Sequence, residues 1–102
     1  MNWNPCLLAG ALAAFSGGVQ AQAMDPLQVR SMAASCATCH GTQGVAQAGN
    51  ESLAGVNKDE LLKKMLDFKT GKKPATIMHQ LSKGYSDEQL AALAAYFSAL
   101  KK

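Results

Sequence analysis

The cysteines of this chain constrain its fold more than any other feature. Cys36 and Cys39 stand three residues apart and His40 follows directly, whereas the third cysteine, Cys6, lies upstream in an apolar segment. If that segment is removed, no disulfide framework can span the domain. Because so short a chain has little apolar surface to bury, residues 24–102 need another source of stability, such as a metal or a cofactor.

The first 23 residues have the pattern of a secretory signal peptide. An uncharged apolar run extends from Cys6 to Phe15, and a small-x-small pattern ends at Ala23. No lysine or arginine precedes the run, so only the amino terminus supplies positive charge. We predict cleavage after Ala23, with Ala21 as the second choice, and export to the periplasm. The run has about ten residues where a spanning helix needs roughly 20, which disfavours the alternative of an uncleaved membrane anchor.

Helix signals fill most of residues 24–102 and no β pattern interrupts them. Asp25 and Pro26 predict a helix start, with the helix running to about Cys39 and stopping at Gly41. Residues 41–56 contain repeated glycines and no helical period, so they predict a loop.

Three further helical segments follow the loop. Asn57 and Glu60 form a capping-box pattern at the start of a helix that ends at Gly71. A short segment covers 75–83, and Ser86 with Gln89 forms a capping box for the last helix. The apolar spacing of this last helix continues to Leu100, and two lysines follow it. The predicted fold is all-α, with three main helices and a short one.

The cysteines and the histidine form a motif on the first predicted helix. Cys36 is three residues from Cys39 and four from His40, so all three project from one side of the helix. Two thioethers then hold one porphyrin edge while the imidazole reaches the iron from the same side. This spacing is that of c-type haem attachment. We predict one covalent haem c, bound through Cys36 and Cys39, with His40 as an axial iron ligand.

Other uses of the motif fit the sequence less well. A thioredoxin-like redox pair needs a βαβ context, which the helical pattern does not provide. A closed zinc site needs four ligands, and residues 24–102 offer only His79 as a further histidine or cysteine. A chance occurrence in a chain with an export signal is the remaining alternative.

Beyond the motif, residues 24–102 resemble the class I cytochromes c along essentially their whole length. The similarity to small bacterial cytochromes of the c4 and c553 type lies in segments 53–55, 61–71, 75–78, 84–89 and 93–97. Within that group, segment 83–88 is most similar to the cytochrome subunit of flavocytochrome c sulfide dehydrogenases. The resemblance implies the class I cytochrome c fold, packed around the covalently bound haem.

The resemblance also implies Met78 as the second axial ligand, because the family places its distal methionine in this position. Met32 lies too close to the attachment site to reach the opposite haem face, and Met65 fits the apolar stripe of the middle helix. Met24 would be the new terminus, and His79 remains as an alternative ligand. His/Met ligation fills both axial positions and favours ferrous iron, which raises the reduction potential.

With both axial positions filled, the sequence predicts electron transfer and no catalytic residue. The partner is a redox protein, either a sulfide-oxidising flavoprotein with this chain as its haem subunit or the partners of a free diffusible carrier. A haem enzyme or gas sensor with an open axial position is a further alternative, as is a module in which haem only supports the fold.

Charge adds little to this interpretation. The net charge of +3 is mild and no aromatic-basic interleaving suggests nucleic acid binding. We expect no stable membrane insertion after signal cleavage. The lysines of residues 58–83 form either a solvated face or a surface that steers an acidic redox partner.

Overall fold

The computed structural model of the chain describes residues 24–102, which form four helices and contain no strand. The helices are α1 (Pro26–His40), α2 (Lys58–Thr70), α3 (Ile77–Lys83) and α4 (Asp87–Ser98). The predicted all-α fold, with three main helices and a short one, is therefore confirmed. The predicted signal peptide and Cys6 lie outside the described residues.

Helix α1 begins and ends close to the predicted residues. The Asp25 side chain accepts a hydrogen bond from the Leu27 amide at 3.0 Å, and proline occupies the first helical position. The helix extends one residue beyond the prediction and includes His40, and Gly41 ends it with a φ of 88°. The histidine therefore sits in the last turn of a regular helix, which fixes its position relative to the two cysteines.

Helix α2 uses half of its predicted capping box. The Asn57 side chain accepts hydrogen bonds from the Asp59 and Glu60 amides, at 3.0 and 3.1 Å. The return bond from the Glu60 side chain is absent from the contacts of residues 24–102. Gly71 ends the helix in the left-handed conformation, with its amide bonded to the Phe68 carbonyl.

The last two helices differ from the prediction at one end each. Helix α3 begins two residues later than predicted, at Ile77, and Thr76 makes no side-chain cap. Both bonds of the Ser86–Gln89 capping box form at the start of α4. This helix ends at Ser98, before the two lysines to which the sequence extended it. Near its end, the Phe97 carbonyl accepts hydrogen bonds from the Leu100 amide at 3.2 Å and from the Gly55 amide at 3.1 Å. A loop thus binds the carbonyl at the end of α4.

The packing of the helices leaves α1 apart from α2 and α3. Helix α4 carries most of the core and packs against α1 and α2, while α2 also packs against α3. Among the four helices of residues 24–102, α1 makes few or no contacts with α2 or α3. The core cluster consists of Ala33, Leu61, Leu90, Leu93, Ala94 and Phe97. The space between α1 and the α2–α3 pair is where the predicted site residues meet.

None of the helices within residues 24–102 has the length and apolar character needed to cross a bilayer.

Candidate cofactor site

Two adjoining cavities lie beside the motif, with volumes of about 150 and 90 Å³. Both are lined by Cys36, His40, Met65 and Met78, which come from α1, α2 and α3. Cys39 lines the larger cavity only. Residues far apart in sequence therefore share one space, and three of the four predicted site residues line both of its parts.

The two thiols differ in exposure. Cys39 is exposed, Cys36 is half-buried, and neither forms a disulfide. Burial raises the pKa of the Cys36 thiol, against smaller opposing effects of hydrogen bonds from Ser35 and from its own backbone. Because the thiolate is the reactive form, burial makes the Cys36 thiol less reactive as a nucleophile.

The His40 ring is oriented by a backbone group that the sequence analysis did not identify. Its Nδ1 atom is hydrogen-bonded to the carbonyl oxygen of Glu51, in the loop between α1 and α2. A carbonyl oxygen only accepts, so Nδ1 must carry the hydrogen. In the neutral ring the lone pair is then on Nε2, the atom available to a metal, as in many histidine metal sites.

An ion pair holds the loop that supplies this carbonyl. Lys64 on α2 donates to the Glu51 carboxylate at 2.6 Å, and both residues line the smaller cavity. The hydrogen bond from Lys64 is the main reason why the pKa of Glu51 lies below its usual range. Glu51 therefore links two helices, because its side chain binds Lys64 of α2 and its backbone carbonyl binds His40 of α1.

The methionines differ in what they pack against. Met65 is half-buried against the core cluster and also lines both cavities, a second position that the sequence analysis did not foresee. Met32 packs against the core and lines neither of these cavities. Met78 lines both cavities and is not among the residues that pack on the core cluster. The Met78 side chain therefore borders the cavities without packing on the core cluster, whereas the Met65 side chain does both.

His79, the alternative ligand, has a different environment. Its Nδ1 atom is 2.8 Å from the carbonyl oxygen of Phe68, near the end of α2. It lines neither of the two cavities. The ring therefore holds α3, which carries Met78, against the end of α2.

Three hydroxyl groups line the larger cavity. Ser35 and Tyr85 are hydrogen-bonded to each other at 2.8 Å, which links α1 to the turn before α4. The third belongs to Ser82, which is buried and has no hydrogen-bond partner within the described part of the chain. No grouping of three or more acidic, histidine or cysteine side chains suited to a metal ion occurs in residues 24–102.

The lysines that the sequence places on one face are partly engaged in ion pairs. Lys63 pairs with Asp67 and Lys69 with Asp87, both at 2.8 Å, in addition to the pair of Lys64. The Nζ atom of Lys73 lies 5.5 Å from the centre of the Phe68 ring. Several of these lysines therefore stabilise contacts within the fold.

Comparison with known proteins identifies the family. Residues 28–97 match the family model described as "Cytochrome C oxidase, cbb3-type, subunit III". The chain is 37% identical to the "Cytochrome subunit of sulfide dehydrogenase" of Chlorobaculum tepidum over 67% of its own length and 62% of that protein's. It is 40% identical to "Cytochrome c4" of Pseudomonas aeruginosa over 82% of its length and 42% of the relative's. It is 36% identical to "Cytochrome c-553" of Helicobacter pylori over 79% of its own length and 86% of the relative's.

The chain spans about three fifths of the length of the first of these relatives, about two fifths of the second and most of the third. The match to the family model extends from the first turn of α1 to the last turn of α4 and so reaches all four helices described above. The chain therefore belongs to the class I cytochrome c family, as one of the small bacterial cytochromes that carry electrons.

Proposed function

We propose that the protein is a periplasmic cytochrome that relays single electrons through one haem c, bound covalently by Cys36 and Cys39, with His40 and Met78 as axial ligands. The observation that most supports this proposal is that Cys36, His40 and Met78, from α1 and α3, line the same two cavities. Membership of the cytochrome c family supports the cofactor independently.

The donor atoms at the cavities suit this group. An imidazole nitrogen and a thioether sulfur are the axial ligand pair of electron-transfer haems, and the methionine raises the potential. The chain offers an Nε2 lone pair on His40, two thiols at attachment spacing and the sulfur of Met78. When bound, the haem supplies a one-electron ferrous–ferric couple.

In this function, groups around the cavities orient His40, hold α3 in place and provide an apolar lining. The Glu51 carbonyl holds the His40 ring with Nδ1 protonated, and His79 holds α3 against α2. Apolar residues of α2 and α4, including Leu61, Phe68 and Phe97, line much of the smaller cavity and offer an apolar surface to the haem. With both axial positions occupied by side chains, no iron position is open to a substrate, so the chain carries electrons without catalysing a reaction.

The mutation of Met78 tests the ligand assignment. We expect Met78→Leu in the haem-loaded protein to abolish the methionine-to-iron charge-transfer band and to lower the reduction potential, because leucine keeps the volume but offers no donor atom. Met65→Leu is the matched control, because it removes a sulfur that lines the same cavities. A band that survives in Met78→Leu and is lost in Met65→Leu would contradict the assignment.

Carbon monoxide binding to the wild type and to Met78→Leu distinguishes a carrier from a ligand-binding haem protein. We expect the reduced wild-type protein to bind carbon monoxide poorly and Met78→Leu to bind it readily. Tight and fast binding by the wild type would instead indicate an enzyme or a gas sensor with an open axial position.

We further propose that the electron donor is a sulfide-oxidising flavoprotein to which this chain is attached as the haem subunit. The supporting observation is the similarity to the relative named "Cytochrome subunit of sulfide dehydrogenase". A free carrier is the second candidate, supported by the similarity to the cytochrome c-553 of Helicobacter pylori, of which the chain covers 86%. Purification at native expression levels, after export and signal cleavage following Ala23, distinguishes a stable flavoprotein complex from a single small protein.

A further inference from the structure

Ser82 is the one buried polar side chain in the described part of the chain that has no hydrogen-bond partner. Its relative exposure is 1%, and it lines the larger cavity together with Met78. A buried hydroxyl without a partner destabilises the fold, because it has lost its hydrogen bonds to water and gained none in return. Such a group calls for an explanation, since the great majority of buried polar atoms are satisfied.

The other helical serines show what Ser82 lacks. Ser31 donates to the carbonyl four residues before it, Leu27, at 2.9 Å, and Ser98 donates to the carbonyl of Ala95 at 2.9 Å. Such bonds to the preceding turn are the usual way for a serine to be satisfied within a helix. Ser82 makes no such bond to the Met78 carbonyl, although both residues lie on α3. Its hydroxyl is therefore free for an acceptor at the cavity.

Helix geometry directs this hydroxyl toward the Met78 side chain. Ser82 is four residues after Met78 on α3, so the two side chains are neighbours on one face of the helix. The Cα–Cβ bonds of a helix tilt toward its N-terminus, which turns the Ser82 side chain back toward the turn of Met78. The other hydroxyls of this cavity, those of Ser35 and Tyr85, are already bonded to each other.

We propose that Ser82 is a positioning residue for the distal ligand, with its hydroxyl, which has no partner here, donating a hydrogen bond to the sulfur of Met78 when the haem is bound. This inference rests on the proposed role of Met78 as an axial ligand. A donated hydrogen bond withdraws electron density from the sulfur, which weakens its donation to ferric iron more than to ferrous iron. Ser82 thereby favours the reduced state, in the way that neighbours of a metal ligand generally tune it.

Three variants of the haem-loaded protein test this role. Ser82→Ala removes the donor, Ser82→Thr keeps a hydroxyl, and Ser31→Ala is the matched control because Ser31 is exposed at the start of α1. We expect Ser82→Ala to lower the equilibrium constant for reduction by a fixed donor about three- to tenfold, or roughly 30–60 mV for one electron. The methionine-to-iron charge-transfer band should persist and shift in wavelength, while Ser82→Thr and Ser31→Ala stay near the wild type.

The outcomes separate this inference from the assignment of Met78. If the wild type shows the band and Met78→Leu loses it, but Ser82→Ala leaves both potential and band unchanged, the inference is wrong and the proposed function stands. If Ser82→Ala lowers the potential in a pH-dependent way without moving the band, the hydroxyl serves another acceptor, such as a haem carboxylate, and the inference is again wrong. A wild type without the band would refute the proposed function itself.

Discussion

The turn after His40 offers a test in which two glycines receive the same substitution. Gly41 has φ 88° and ψ 145°, a region that side chains other than glycine's scarcely occupy. A Cβ built on Gly41 would lie 2.0 Å from the carbonyl oxygen of Val45, and a Cβ on Gly49, with φ 95°, would meet nothing within 4 Å. Both positions share the backbone strain, but only Gly41 adds a clash with backbone atoms.

The clash at Gly41 determines how much more unfolding free energy this variant should lose than the Gly49 variant. We expect Gly49→Ala to lower the free energy of unfolding by about 1 kcal/mol, from the positive φ alone. At Gly41 the backbone at Val45 would have to move by about 1 Å to relieve the contact, which brings the expected loss to about 3–5 kcal/mol. The moving segment leads directly into the loop whose Glu51 carbonyl bonds to His40, so the imidazole orientation should suffer as well.

Urea unfolding of the two haem-loaded variants measures these losses. Far-ultraviolet circular dichroism reports the helices, and the methionine-to-iron charge-transfer band reports the axial ligands. We expect Gly49→Ala to keep the native band and Gly41→Ala to weaken it even in the absence of urea. Equal losses of unfolding free energy in the two variants would show that the approach of Val45 to Gly41 does not limit this turn, and the reasoning would fail.

Two further predictions concern the contacts that hold the site. Because Lys64 lowers the pKa of Glu51, their ion pair stabilises the fold above the ordinary glutamate pKa of about 4.3 and is lost as the pH falls through the lower folded value. Glu51→Gln should therefore cost about 0.5 kcal/mol at pH 7 and nothing at pH 2 in thermal unfolding, and equal losses at both pH values would contradict this. His79→Ala removes the 2.8 Å bond to the Phe68 carbonyl and loosens α3, so ferric protein should bind added imidazole about fivefold more tightly. Unchanged affinity would mean that this bond does not restrain Met78.

The parts of the fold that sequence predicted well depend on local interactions. Asp25, Asn57 and Ser86 cap their helices because a side-chain oxygen reaches an amide only two or three residues away. The helical placement of Cys36, Cys39 and His40 was equally local, since they lie within about one turn of α1, and their role in attachment stays a prediction. Such features can be predicted without knowing how the helices pack.

The parts that sequence missed depend on contacts between distant segments. The Glu51 carbonyl that orients His40 is a backbone group, so no residue type marks it. The apolar spacing predicted too long an α4, and it gave no sign that the Gly55 amide, from another part of the chain, bonds to the Phe97 carbonyl near the end of that helix. Serine is a residue type usually found at the surface, and only the packing of α3 reveals that Ser82 is buried.

The packing of α1 against α4 has a consequence for the timing of assembly. Ala33 is buried in a cluster otherwise formed by α2 and α4, so the first helix has its partners only when the last one is present. If the chain is exported from its N-terminus, as proposed above, α1 would emerge before residues 87–98. During that interval the thiols of Cys36 and Cys39 would be accessible to an enzyme that attaches the proposed haem. The order of emergence would thus allow attachment before the two ends of the domain meet.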